Sequence, residues 1–80
     1  MTTANASQRI AASEIGARAV SIEDTKSGEY IKLAATETSK VYKRGRYVHA
    51  IKSYSVVDCE DINRERFIKR GRIVFVGFTY

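Results

Sequence analysis

The sequence predicts a mainly β fold, α+β at most, in the form of a small twisted antiparallel sheet or barrel of four or five strands with one short N-terminal helix. Runs rich in β-branched and aromatic residues fill the C-terminal half, and polar or glycine-containing segments separate them. Helical spacing is confined to one short stretch near the N-terminus. A strongly twisted sheet that closes toward a barrel protects the strand edges of such a chain.

The length of 80 residues fits one small domain. We expect residues 1–8 to form a frayed tail and residues 9–80 to form the domain. The single cysteine, Cys59, excludes an intrachain disulfide, which favours a reducing, cytoplasmic location. The longest apolar run, 73–78, is far too short to span a bilayer, so we expect no membrane association.

The N-terminal half carries weaker structural signals. A short helix is expected over residues 10–15, with Ser13 as a candidate cap and Gly16 as its end. Residues 19–22 have weak β character, and residues 29–35 are expected to form a strand.

The C-terminal half carries the strongest strand signals. Residues 41–43 and 47–57 are rich in β-branched and aromatic residues, and apolar residues lie on both faces of the second run. That pattern favours one long strand that is central or strongly bent. The last run, 72–80, places Phe75 on one face and Val74 on the other, and we expect it to be a central strand.

The segment between these strands allows two interpretations. We favour a turn over residues 58–63 followed by a strand through Phe67 and Ile68. The alternative is a helix over residues 61–70 that ends at Gly71, although its apolar spacing is poor.

One tetrapeptide, Lys-Arg-Gly-Arg, occurs twice, at residues 43–46 and 69–72, each time between two apolar runs. We interpret both copies as exposed hairpin turns in which Gly45 and Gly71 supply a positive φ. If the two corners meet in space, their six cations form one basic binding edge. The alternative is that both are ordinary solvated turns whose charges discourage edge-to-edge aggregation.

Positive charge is concentrated in the same half of the chain. Residues 1–38 carry four Lys or Arg against five Asp or Glu, a net charge of −1, whereas residues 39–80 carry ten against four, a net charge of +6. A basic half of this kind favours a polyanion or an acidic protein surface as partner.

Catalytic and metal-binding patterns find little support, so we expect a non-enzymatic protein without a cofactor. His49 is the only histidine, and no orienting carboxylate and nucleophile are recognisable by spacing. Cys59 lies between two acidic residues, which oppose formation of a thiolate. The acidic cluster of Asp58, Glu60 and Asp61 lacks the glycine and closing glutamate of a calcium loop, and we expect it to cap a helical turn or pair with nearby arginines.

A second function that the residues allow is binding of DNA or RNA. Tyr42 and Tyr47 flank the first basic tetrapeptide, and exposed aromatic rings beside cations can stack bases while the cations neutralise phosphates. Core packing is the other interpretation of these two rings. The predicted partner- or nucleic-acid-binding residues are Lys43, Arg44, Arg46, Lys69, Arg70, Arg72, Tyr42 and Tyr47.

Residues 40–80 resemble the small basic β-domains of phages and other mobile elements. The resemblance is carried by residues 40–47, by Tyr54, by Asp-Ile-Asn at 61–63 and by the ending Val-Phe-Val-Gly-Phe-Thr-Tyr. Among such proteins, the anti-CRISPR inhibitors are similar in size, in single-domain form and in lacking catalytic residues.

This resemblance implies a cytoplasmic, non-enzymatic protein that binds a CRISPR effector or a similar nucleic-acid-handling complex of the host and blocks target DNA. We expect the protein to be a monomer or a small homo-oligomer. Inhibitors that mimic DNA are acidic, whereas this chain has a net charge of +5. The resemblance therefore implies docking on an acidic protein surface, or steric occlusion of the DNA path.

Overall fold

The computed structural model describes residues 4–79 and shows one helix and a six-stranded antiparallel sheet. The mainly β class with a short N-terminal helix is confirmed. The helix is α1 (Ala6–Glu14), and the strands are β1 (Arg18–Ser21), β2 (Tyr30–Lys32), β3 (Val41–Val48), β4 (Ser53–Asp58), β5 (Glu65–Lys69) and β6 (Ile73–Val76). Single 3₁₀ turns at Ile22–Asp24 and His49–Ile51 follow β1 and β3.

Helix α1 begins four residues earlier than the sequence predicts, because a capping box fixes its start. The Asn5 side chain accepts the backbone N–H of Gln8 at 2.8 Å, and the Gln8 side chain accepts the N–H of Asn5 at 2.9 Å. Ser13 therefore lies in the last turn and is not a cap, while Gly16, at φ +70°, ends the helix as predicted. Residues 5–8 of the expected tail belong to the cap and first turn, and residues 1–3 lie outside the described residues.

The strand order is β1-β6-β2-β3-β4-β5, and every described pairing is antiparallel. Strand β6 pairs with β1 on one side and β2 on the other, so the prediction of a central C-terminal strand is confirmed. The sheet is open, since no pairing joins β1 to β5 within residues 4–79. Three residues, 70–72, link β5 at one edge to β6 beside the other edge, so the sheet must curl strongly along its width.

Curling gives the sheet an inner and an outer side, each with its own apolar cluster. The inner cluster contains Ile22, Ile31, Tyr42, Tyr54, Val56, Ile68, Val74 and Val76. On the outer side, Ala12 of α1 packs with Ile73 and Phe75 of β6. The helix therefore covers only the β1–β6 end of the outer side, which leaves exposed side chains on β3 and β5.

The first tetrapeptide is not a turn, and the prediction of a hairpin there is wrong. Strand β3 continues through residues 43–46, and its register with β4 shifts so that Gly45 and Arg46 lie opposite Ser55 in a β-bulge. Gly45 has no positive φ; instead, a Cβ at this position would lie 3.1 Å from the Ser55 carbonyl oxygen. Glycine is used here because two backbones approach closely.

The second tetrapeptide does form a turn, with Gly71 at φ +87°. It is not a hairpin, because β5 and β6 do not pair with each other. A hairpin that the sequence did not predict lies between β3 and β4, where the 3₁₀ turn is followed by Lys52 at φ +52°. The prediction of one strand over residues 47–57 is therefore wrong, because no glycine or proline marks this reversal. Segment 61–70 contains β5, so the favoured turn and strand are confirmed over the helix.

Candidate functional site

The uncovered outer side of β2–β5 is the first candidate site. Tyr54 and Ile68 are paired and buried on the inner side, so their chain neighbours Ser55 and Phe67, which pair with each other, point outward. The same alternation places outward the side chains of Tyr30 and Lys43, which are also a cross-strand pair. We define the outer face as Tyr30, Lys43, Arg46, Val57, Ile62, Phe67 and Lys69.

The outer face combines apolar and cationic groups. Phe67 is 49% exposed, Tyr30 is 44% exposed, and Ile62, in the turn before β5, is 81% exposed. Tyr30, Ile62, Val57 and Lys43 line a shallow cavity of about 250 Å³. The hydroxyl of Ser55 in β4 donates a hydrogen bond to the carboxylate of Glu65. The one acidic side chain that β5 contributes to this side is therefore already hydrogen-bonded. Large exposed apolar groups that share one face are typical of interaction sites.

A second candidate site, the inner cleft, opens at the other side of the same strands. Its volume is about 800 Å³, and it is lined by Glu23, Asp24, Arg44, Tyr47, Tyr54 and Arg70, with His49 beside them. The guanidinium carbon of Arg44 lies 4.3 Å from the centre of the Tyr54 ring, a cation–π distance. The ring of Tyr47 lies 4.8 Å from that of Tyr54 and meets His49 edge-on, also at 4.8 Å.

Glu23 fixes one wall of the inner cleft. Both of its carboxylate oxygens accept the Gly71 N–H at 3.1 Å, and one also accepts the Ser21 hydroxyl. These bonds hold the turn after β5 against the end of β1. As a result, Arg70 of the second tetrapeptide and Arg44 of the first line the same cleft.

The structure therefore divides the predicted basic edge between two sites. Lys43, Arg46 and Lys69 are exposed on the outer face, whereas Arg44 is half-buried in the inner cleft with Arg70. Strand alternation separates Lys43 from Arg44, and the bulge opposite Ser55 places Arg46 on the outer side although it lies only two residues from Arg44.

The remaining predicted site residues differ in burial. Arg72 is exposed just before β6 and belongs to neither site. Tyr42 is 8% exposed in the inner core, so of the two interpretations of this ring, core packing is the one observed. Tyr47 is half-buried and forms part of the cleft wall.

Sequence reasoning missed Tyr30, Tyr54, Ile62 and Phe67 as site residues. Phe67 had a usable signal, because Phe67 and Ile68 are adjacent in the predicted strand and point to opposite sides, so only one of them can face the core. Ile62 had no such signal, since its exposure depends on the path of the turn around it.

The acidic cluster forms a hydrogen-bonded turn at the end of β4. Asp58 is 1% exposed, and its Oδ1 accepts the N–H of Glu60 at 2.9 Å. Asp61 lies 3.6 Å from the Nε of Arg64, which confirms the predicted pairing with a nearby arginine. The hydrogen bond from Glu60, together with the Lys40 ammonium 3.4 Å away, lowers the pKa of Asp58 below its ordinary value.

We expect Asp58 to make the stability depend on pH in acid. Because its pKa is lower in the folded than in the unfolded state, its contribution is complete at neutral pH and is lost as the pH falls below the ordinary value of 3.8 toward the lowered one. Asp58→Asn should therefore destabilise the protein more at neutral pH than in strong acid, as measured by urea unfolding. Asp24→Asn, at an exposed position, is the control and should have little effect at either pH. An Asp58→Asn loss that is equal at both pH values would contradict the assignment.

Residues 4–79 contain no group of three or more His, Cys, Asp or Glu side chains placed to hold a metal ion. No helix in that range has the length and apolar content needed to cross a membrane. Comparison with known proteins finds no matching family model, curated protein or solved structure. The outer face and the inner cleft are therefore the features from which a function can be inferred.

Proposed function

We propose that this chain is a non-catalytic binding protein that docks through its outer face on an acidic surface of a nucleic-acid-handling protein complex. The observation that carries the proposal is the grouping of three exposed apolar side chains, those of Tyr30, Ile62 and Phe67, with three exposed cations on one side of the sheet. The cations are Lys43, Arg46 and Lys69.

The two kinds of group have different parts in such an interface. Buried aromatic and apolar anchors supply most of the affinity of protein complexes, while charges at the rim steer association and select the partner. The cavity beside Ile62 offers a place for an apolar side chain of the partner. An aliphatic group that is 81% exposed gains nothing from contact with phosphates, so Ile62 favours a protein partner over a nucleic acid.

The resemblance over residues 40–80 supports a CRISPR effector as the complex. Docking of the chain on that effector would block the binding of target DNA. The dimensions of the domain are compatible with steric occlusion. Its Cα atoms extend 34 × 30 × 15 Å, so the broad side is wider than a DNA major groove of about 12 Å. A basic body of this size would cover an acidic site beside the DNA path without imitating the duplex.

The second candidate function is binding of single-stranded DNA or RNA, and Phe67 is the observation that favours it. This ring is half exposed on a sheet face, with Arg46 and Lys69 on the same face. Single-strand binding surfaces combine such a ring, which stacks on a base, with cations that contact the backbone. Three phosphate contacts would give a log–log salt dependence with a slope of about −2.

The test compares two charge reversals and two apolar replacements. Arg46→Glu with Lys69→Glu alters the outer face, and Arg9→Glu with Arg18→Glu makes the same change of net charge at exposed positions in α1 and β1. Ile62→Ser is matched by Ile10→Ser, which removes an exposed isoleucine from the helix. Each variant is used as bait in nuclease-treated lysate of the host cell and is titrated with a labelled random single strand.

The proposal predicts a nuclease-resistant protein partner that the first reversal and Ile62→Ser lose and that both controls keep. Circular dichroism checks that each variant is folded. Loss of oligonucleotide binding in the outer-face reversal, with Ile62→Ser unchanged and no protein retained, would replace the proposal with the second candidate. Equal retention of the partner by all four variants would show that the outer face is not the binding surface.

A further inference from the structure

The inner cleft is a separate site that the outer-face proposal does not use. Its volume of about 800 Å³ lies within the usual range for small-ligand pockets, about 300–1,000 Å³. Two arginines, Arg44 and Arg70, contribute to its lining together with the rings of Tyr47 and His49. Cationic and aromatic groups therefore meet in one concave space.

Arg44 enters this space without a partner for its charge. Its Nε is buried and has no hydrogen-bond acceptor among the described residues, while its guanidinium lies over the Tyr54 ring. The ion pairs within residues 4–79 are Lys40 with Asp58 and Arg64 with Asp61, so neither Arg44 nor Arg70 is paired with a carboxylate there. A half-buried charge left unpaired is unfavourable, and an anion in the cleft that Arg44 lines would balance it.

The acidic residues of the cleft do not fill this role. Both oxygens of Glu23 accept the Gly71 N–H, and the Ser21 hydroxyl adds a third hydrogen bond. Asp24 is exposed and is not ion-paired in the described structure. The cleft thus offers arginine donors for an anion and, through Asp24, a carboxylate acceptor for hydroxyl or amino groups.

We propose that the inner cleft binds a nucleoside monophosphate, either free or as the phosphorylated end of a single strand. Arg44 and Arg70 bind the phosphate, since guanidinium groups match its oxygens with charge-assisted hydrogen bonds. The rings of Tyr47 and His49 contact the base, and Asp24 accepts from a ribose hydroxyl. A small inorganic anion would leave most of the cavity unfilled, which is why the ligand is a nucleotide and not phosphate alone.

The test is an NMR titration of the ¹⁵N-labelled full chain with uridine 5′-monophosphate, inorganic phosphate, and a short oligonucleotide with and without a 5′-phosphate. The Arg44 Nε–H signal and the amide signals of Tyr47 and Tyr54 should shift with the nucleotide. Arg70→Gln should weaken binding about tenfold or more, because it removes one of the two guanidinium groups that bind phosphate. Arg72→Gln makes the same charge change two residues away, outside the cleft, and should bind like the wild type.

Arg44→Lys is a further variant that keeps the charge but loses the guanidinium. If Arg44→Lys does not fold, Arg70→Gln still tests the proposal, because Arg70 is exposed. Binding of the phosphorylated oligonucleotide but not the free nucleotide supports the strand end as the source. Four results would each overturn the proposal. The first two are equal affinity for inorganic phosphate and the nucleotide, and equal affinity for the oligonucleotide with and without its 5′-phosphate. The others are a loss of binding in Arg72→Gln as large as that in Arg70→Gln, and no binding of any probe.

Discussion

Replacing Phe75 with alanine is expected to lower the free energy of unfolding by about 3–5 kcal/mol, the usual cost of emptying a buried aromatic site. Phe75 is 6% exposed on the central strand β6, and its ring packs with Ala12 where the helix covers the sheet. Small domains have only about 5–15 kcal/mol of stability, so the variant should be largely destabilised or fail to fold. Urea unfolding followed by circular dichroism measures the loss.

Phe67→Ala is the control for that experiment. It removes the same atoms from a ring that is 49% exposed on the outer face, and it should cost far less stability. If both alanine variants unfold at the same urea concentration, the helix does not bury Phe75 as the structure shows. If Phe75→Ala is neutral, the packing of α1 on β6 is wrong.

Gly45→Val is expected to lower the free energy of unfolding by about 1–3 kcal/mol, as typical overpacking does. Valine is favoured in strands, so propensity alone predicts no loss at a position inside β3. The loss arises because the new Cβ would lie 3.1 Å from the Ser55 carbonyl oxygen, and its two methyl groups would force β3 and β4 apart at the bulge.

Arg46→Val places the same side chain one residue further along, at the exposed position of the bulge. It should leave the stability nearly unchanged, as measured by the same urea titration. A tolerated Gly45→Val would contradict the close approach of the two backbones. Equal losses in both variants would show that the bulge itself, and not the contact with Ser55, is sensitive to valine.

Gly45 and Gly71 show how much of the backbone conformation the sequence could predict. Identical tetrapeptides place them in identical local contexts, and a turn is the natural interpretation of both. Gly71 does supply a positive φ in a turn, but Gly45 allows close contact with a strand from another part of the chain. The second role depends on Ser55, ten residues away, and so no local pattern could show it.

The candidate site residues also divide into those that the local sequence indicates and those that only tertiary contacts reveal. The sequence correctly located positive charge in the C-terminal half and selected residues that the structure brings together in part, since Arg44 and Arg70 line one cleft. It could not assign Lys43 and Arg44 to opposite sides, because the side of each residue depends on the register and the bulge of β3. It also could not find Ile62 or Tyr54, whose roles depend on neighbours distant in sequence.

The sequence by itself determined the mainly β class, the end of the helix at Gly16, the turn and strand that precede Gly71, and the central position of the last strand. Each of these depends on local propensity and on apolar alternation within a few residues. Only the tertiary structure decided that the sheet of residues 4–79 is open and not a closed barrel, that Gly45 lies in a bulge, and that the cations divide between an outer face and an inner cleft. These features are set by the pairing register of strands far apart in the chain, and a shift of one residue would move every side chain of a strand to the opposite side.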